Sequence, residues 1–114
     1  MSLFDSSSQD KFVRLRPLAY PDTNLVLICF SIDCPTSSIN VIQQWNPEIR
    51  YYCDSCPVIL VAYAQKLAVE IKADAYMECS AKTREGIRDL LIHAARLSLA
   101  DQFCLELRRK CFLF

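Results

Sequence analysis

Cys53-Asp54-Ser55-Cys56 and Cys111-Phe112-Leu113-Phe114 are the two places where residue type and spacing suggest chemistry. Two thiols three positions apart have the spacing of a redox pair or of half a zinc site. No second C-x-x-C follows and His93 is the one histidine, so a tetrahedral metal site lacks its remaining ligands. Seven cysteines are many for 114 residues, yet the number is odd. In a reducing compartment free thiols are the expected state, rather than a disulfide framework. The terminal tetrapeptide obeys the C-a-a-X rule, and Phe in the last position favours geranylgeranylation of Cys111 with removal of Phe112-Leu113-Phe114. Arg108, Arg109 and Lys110 precede it, and Cys104 is a candidate acylation site. One lipid chain holds a membrane weakly and each nearby cation adds about 1 kcal/mol at an anionic leaflet. Lipid and three cations together make a two-signal anchor, which we assign to residues 104–114, leaving 1–103 as the domain.

The domain must position whatever else the chain does. Thirteen basic and thirteen acidic residues cancel, which leaves no global field for nucleic acid. No apolar run reaches the roughly 18 residues of a membrane span, and no signal-peptide pattern opens the chain. The expected location is the cytoplasm, with peripheral attachment to the cytosolic face of the plasma membrane or an endomembrane.

Residues 25–32 (LVLICFSI) and 58–61 (VILV) are nearly continuous apolar runs of strand length, the pattern of parallel strands covered on both faces. Residues 75–79 (AYMEC) predict a third, shorter strand. Between the first two, Ser37 or Ser38 can cap a helix whose Ile39, Ile42, Trp45 and Ile49 form an apolar stripe, with Pro47 expected to kink it. Ala64, Leu67, Ala68 and Ile71 make a second stripe, and Ile87, Leu90, Leu91 and Ala94 a third after Gly86. Alternating strands and helices predict an α/β fold, a mostly parallel sheet with helices on both faces. A single glycine cannot write G-x-x-x-x-G-K-[ST] or G-x-G-x-x-G, the loops that let backbone N–H groups approach phosphate.

Residues 3–10 (LFDSSSQD), then Arg14-Leu15-Arg16-Pro17-Leu18 and Tyr20-Pro21-Asp22-Thr23, resemble the second switch region of Rho-family small GTPases, L-W-D-T-A-G-Q followed by R-L-R-P-L-S-Y-P-D-T. Residues 29–33 (CFSID) and Trp45-Asn46-Pro47-Glu48 are similar to that family's C-F-S-x-D and W-x-P-E segments. Residues 78–83 (ECSAKT) look like its guanine-contacting loop, and the tail matches its C-a-a-X. The resemblance covers the chain from Leu3 onward and implies a small G-protein fold of the P-loop NTPase class. It implies GTP or GDP with Mg as cofactors, Asp5 supporting the ion through water and Gln9 orienting the attacking water. It also implies Ser80, Ala81 and Lys82 beside the guanine base, and Rho regulators or effectors as partners of Arg14 to Thr23.

Three departures accompany it. The family's first strand, phosphate loop and first switch are expected before Leu3. Its N-K-x-D motif and insert helix are expected after Val61, where Ala62 instead runs into a later helix. Ser8 stands at the position of a glycine whose amide meets the terminal phosphate. Without the phosphate-loop lysine, Asp5 and Gln9 have no charge cluster to act on, and Ser80 to Lys82 read as a strand-to-helix connection closed by Thr83. Trp45 with Pro47 reads as packing more readily than as an effector surface, and His93 as solvated. Loss of the first strand is expected to expose a central strand, a template for self-association. The expectation is a truncated Rho-like protein without efficient GTP turnover, needing no cofactor and serving as a membrane-anchored interaction module in Rho signalling. A GTP-binding, GTP-hydrolysing signalling switch is the alternative, and an incomplete gene product without stable function is a third.

Overall fold

The computed structural model describes residues 2–6, 9–31, 33–62 and 65–111, with backbone alone for Asp10, Gln65, Lys66 and 101–111. Three strands, β1 (Val26–Cys29), β2 (Val58–Val61) and β3 (Ala75–Met77), form a parallel sheet in the order β1-β2-β3. Val26 lies opposite Val58, and Ile59 opposite Ala75. The helices are α1 (Pro35–Asn40), a π-helical turn (Val41–Trp45), α2 (Asn46–Tyr52), α3 (Gln65–Glu70) and α4 (Ile87–Cys111).

The uninterrupted apolar run of β2 has the cause anticipated from sequence: all four residues are buried, and they alternate between two cores. Val58 and Leu60 join Ile28, Val41, Ile49, Leu67, Ala68 and Ile71 under α2 and α3. Ile59 and Val61 meet Leu90 and Ala94 of α4. Helices thus cover both faces, as expected for the small G-protein fold. The crossover from β2 to β3, residues 62–74, holds the short α3 as its one element among the described residues and is close to the minimum length for joining parallel neighbours.

Several local expectations are corrected. The first helix begins at Pro35 with Cys34 at its N-cap and no side-chain cap; Ser37 Oγ instead donates to the carbonyls of Ser31 and Cys34, each at 2.7 Å. Pro preset for the first helical turn supplies the start that Ser37 or Ser38 was expected to supply. The stripe is out of phase: Ile39 and Ile42 are exposed, whereas Val41 is completely buried. A π turn carries one extra residue, shifting the inward face so that Val41, Trp45 and Ile49, four apart, point at the sheet. The irregularity expected at Pro47 is the widened turn just before it, and Pro47 itself sits in the first turn of α2, where a missing N–H costs little. The segment around Phe4 is not a strand, and Phe4 is exposed. Among the described residues nothing pairs with the outer edge of β1. The stripes of α3 and α4 hold at Leu67, Ala68, Ile71, Leu90 and Ala94; Ala64 lies outside the described residues. His93 is half-buried rather than solvated.

Gly86 links β3 to α4 at φ +72°, and a Cβ there would collide with the Glu78 carbonyl oxygen. Gly86→Ala is therefore expected to destabilise by about 2 kcal/mol or more, read as a fall in the urea midpoint. A neighbouring exposed substitution, Lys82→Ala, should leave the midpoint unchanged.

Candidate functional site

Because all three strands run the same way, the connections after them gather along one edge of the sheet, where ligands bind in open α/β folds. Phe30 and Ser31 follow β1, Ala62 follows β2, and Glu78 to Lys82 follow β3. Strands lie about 4.8 Å apart, which puts the ends of β1 and β3 roughly 10 Å from each other.

Gln9 reaches this edge. It lines an open cavity with Cys29, Phe30, Ser31, Ser37, Asn40, Gln44 and Trp45, and its carbonyl accepts the Phe12 amide at 3.0 Å. Among the described residues, no charged side chain lines the cavity. Asp5 is exposed; its carboxylate raises the Cys29 thiol pKa, an effect smaller than those of desolvation and of Cys79. Ser80, Ala81 and Lys82 sit in the loop after β3. There the Thr83 amide donates to Ser80 Oγ at 3.2 Å, the Ser80 amide to the Glu85 carbonyl at 3.0 Å, and the Thr83 hydroxyl to Glu85 Oε2 at 3.1 Å. Ala81 and Lys82 remain exposed. The fold thus brings both sets of candidates to one edge without joining them in one pocket. Ser8 and Phe112 to Phe114 lie outside the described residues, as do the side chains of Cys104 and Cys111.

Sequence reasoning missed a cluster that holds the segment from Arg14 to Thr23. Arg16 is buried, and its guanidinium donates from Nε to Glu48 Oε1 at 3.0 Å and from Nη2 to Oε2 at 2.9 Å. The same plane lies over the Trp45 ring, 4.8 Å from its centroid. Tyr20 donates its hydroxyl to Glu48 Oε1 at 2.7 Å and stacks on Tyr52 at 5.4 Å. Hydrogen bonding from Arg16 holds the Glu48 carboxyl below the usual range against the opposing effect of desolvation, with help from Tyr20. Burial first, then the hydrogen bond to Glu48, raises the Tyr20 phenol well above its ordinary value. The residues were in view as parts of the R-L-R-P-L and W-x-P-E motifs. Nothing in either motif distinguishes Arg16 from Arg14 or pairs it with Glu48.

The Ras family model matches residues 1–68. Human "Rho-related GTP-binding protein RhoB" is 36% identical over 129 residues, covering 90% of this chain and 66% of the relative; the mouse protein matches equally. "GTP-binding protein RHO1" of Candida albicans is 36% identical over 137 residues, covering 97% of this chain and 69% of its own length.

The chain belongs to the Rho family of small GTPases.

It spans about two thirds of the length of these relatives. Within the matched stretch the 129 residues of the human protein face only 90% of this chain's 114, so gaps fall inside this Rho-family chain.

The pair of Arg16 and Glu48 sets the expected energetics. Arg16→Ala leaves a half-buried carboxylate without its partner and should cost about 2 kcal/mol, whereas Arg16→Met with Glu48→Leu should cost clearly less than Arg16→Ala alone. Because the Glu48 pKa is lowered on folding, its contribution is present above the ordinary value of 4.5 and lost as pH falls below it. Denaturant midpoints followed downward from pH 6 should therefore drop more steeply for the parent than for Glu48→Gln. The raised Tyr20 pKa adds stability below pH 10.0 that is lost above it, and Tyr20→Phe should remove that alkaline loss.

Proposed function

We propose that this chain is a Rho-family interaction module without efficient GTP turnover, presenting Arg14 to Thr23 to Rho regulators or effectors and held at a membrane by a geranylgeranyl group on Cys111. The observation that carries this reading is the contrast inside one segment. Arg16 is locked into the domain, while its neighbours Leu15 and Leu18 are 57% and 75% exposed. Apolar side chains fixed outward on an immobilised backbone lose little further entropy on binding, which favours recognition.

Turnover is disfavoured in this reading by the chemistry at the strand ends. Phosphate transfer needs cations and backbone amides around the terminal phosphate, and the described residues that line the cavity beside Gln9 are all uncharged. One glycine in 114 residues leaves no phosphate-cradling loop within them. Asp5 as indirect magnesium support, Gln9 as water-orienting group and Ser80, Ala81 and Lys82 as base contacts are roles for the second reading, a GTP-binding signalling switch. The relatives' names and the shared sheet edge favour that alternative. The division at 103/104, acylation of Cys104 and self-association through the open edge of β1 belong to the first proposal. Its expected location is the cytosolic face of a membrane.

Titration with a fluorescent guanine nucleotide in magnesium separates the two. We expect no saturation at micromolar concentration, and micromolar, guanine-specific binding would establish the switch instead. Leu18→Asp should weaken capture of Rho regulators at least tenfold with an unchanged near-UV spectrum. Cys111→Ser should abolish lipid transfer from geranylgeranyl diphosphate.

A further inference from the structure

Cys53 and Cys56 lie at the other edge of the sheet, in the turn from α2 into the start of β2. The expectation of free thiols is corrected here, since the two are joined as a disulfide, while Cys29, Cys34 and Cys79 are free. Their Cα atoms are 5.4 Å apart, a separation a disulfide bridges without backbone movement.

The turn is held by bonds that use neither sulfur. The Cys53 amide donates to the Ile49 carbonyl at 2.7 Å and the Cys56 amide to the Cys53 carbonyl at 3.1 Å. Arg50 Nη1 donates to the carbonyls of Asp54 and Cys56 at 3.4 and 3.5 Å, and Nη2 to that of Lys72 at 3.1 Å. These contacts keep the sulfurs adjacent when the bond is open. Cys56 is buried and Cys53 half-buried, so the two thiols differ in access. Cys56 Sγ also stands 3.2 Å from the Thr23 carbonyl oxygen. A thiol there donates S–H to that oxygen, whereas a disulfide sulfur has no proton to give.

We propose that Cys53 and Cys56 form a thiol–disulfide site that reacts with low-molecular-weight disulfides such as oxidised glutathione, and that its redox state makes or removes a hydrogen bond to Thr23. The more accessible Cys53 thiolate attacks one sulfur of the small disulfide and expels one thiolate. Cys56, losing its proton to solvent, then attacks Cys53 Sγ and expels the second. The protein dithiol is oxidised, the small disulfide is reduced to two thiols, and the Cys56 proton is no longer available to Thr23. Thr23 ends the segment whose middle is clamped by Arg16, and its own amide and hydroxyl bond back to Tyr20 and Ala19 at 3.1 and 3.0 Å. Oxidation removes a tie at that end and leaves the clamp in place.

The test equilibrates the full chain with graded ratios of reduced to oxidised glutathione, blocks free thiols with N-ethylmaleimide and digests with trypsin. Arg50 and Lys66 bracket both cysteines in one peptide, residues 51–66. That peptide should carry two labels or none, in a single transition. Two labels at every ratio, a persistent mixed disulfide with glutathione, or bridging to another peptide would each overturn the proposal. Amide exchange across residues 20–26 should be several-fold faster in the oxidised form. Cys53→Ser, which keeps the Cys56 thiol, should exchange like the reduced form at all ratios. Equal exchange in both forms of the parent would remove the link to Thr23.

Discussion

The segment from residue 9 to residue 24 has no place in the sheet and contains only two short 3-10 turns, Asp10–Phe12 and Arg16–Ala19. Its position therefore depends on side chains, and chiefly on the fork of Arg16 closing on Glu48. Burying Arg16 and half-burying Glu48 is expensive, and a pair of apolar residues of similar volume would often be as stable. What the pair provides is registry. A planar guanidinium accepts one carboxylate geometry and one ring beneath it, so Glu48 and Trp45 fix where Arg16 must lie, and Tyr20 adds a second hydrogen bond to Glu48 Oε1. Leu15, one residue away, is thereby directed outward.

That registry depends in turn on the phase of the helix that carries Glu48. In a regular α-helix from Pro35 to Tyr52, the spacing of Ile39, Ile42, Trp45 and Ile49 would send all three isoleucines to the core. The π turn at Val41–Trp45 instead buries Val41. Trp45 and Ile49 still face the sheet, with Glu48 at their margin, half-buried and open to Arg16. The interruption stands directly before Pro47, whose absent N–H makes an irregular ladder cheap at this point. The clamp, the proline and the shifted stripe are consequences of one local departure from α-helical winding.

These relations explain what could be read from the residues and what could not. The strand of residues 58–61 was legible because its burial is set by its own composition, four apolar residues in succession. The stripes of α3 and α4 were legible because nothing interrupts their 3.6-residue period. The first helix was not, because one extra residue per turn changes every assignment before it, and no propensity marks a π turn. Arg16 and Glu48 are separated by 32 positions, and no local pattern announces a contact at that range. The motifs carrying the family resemblance contained both residues, but a motif records order along the chain and not which side chains meet. The candidates at Gln9 and at Ser80 to Lys82 were placed on a common edge by the parallel topology alone, which says nothing about whether their side chains converge on one ligand.

The two edges of the sheet differ in what β2 can transmit between them. Its four residues are wholly enclosed between helical layers, and close-packed interiors shift as units rather than deform gradually. The segment ending at Thr23 runs along the outside instead, touching the strand-end cavity through Gln9 and the Cys56 turn through its last carbonyl. A chemical change at the turn therefore has a surface route to the segment that bypasses the core. Arg16 sits between the two ends of that route with both of its carboxylate bonds made. The clamp limits how far a change at Thr23 can spread, so loosening there would affect Tyr20 to Thr23 before it reached Leu15 or Gln9.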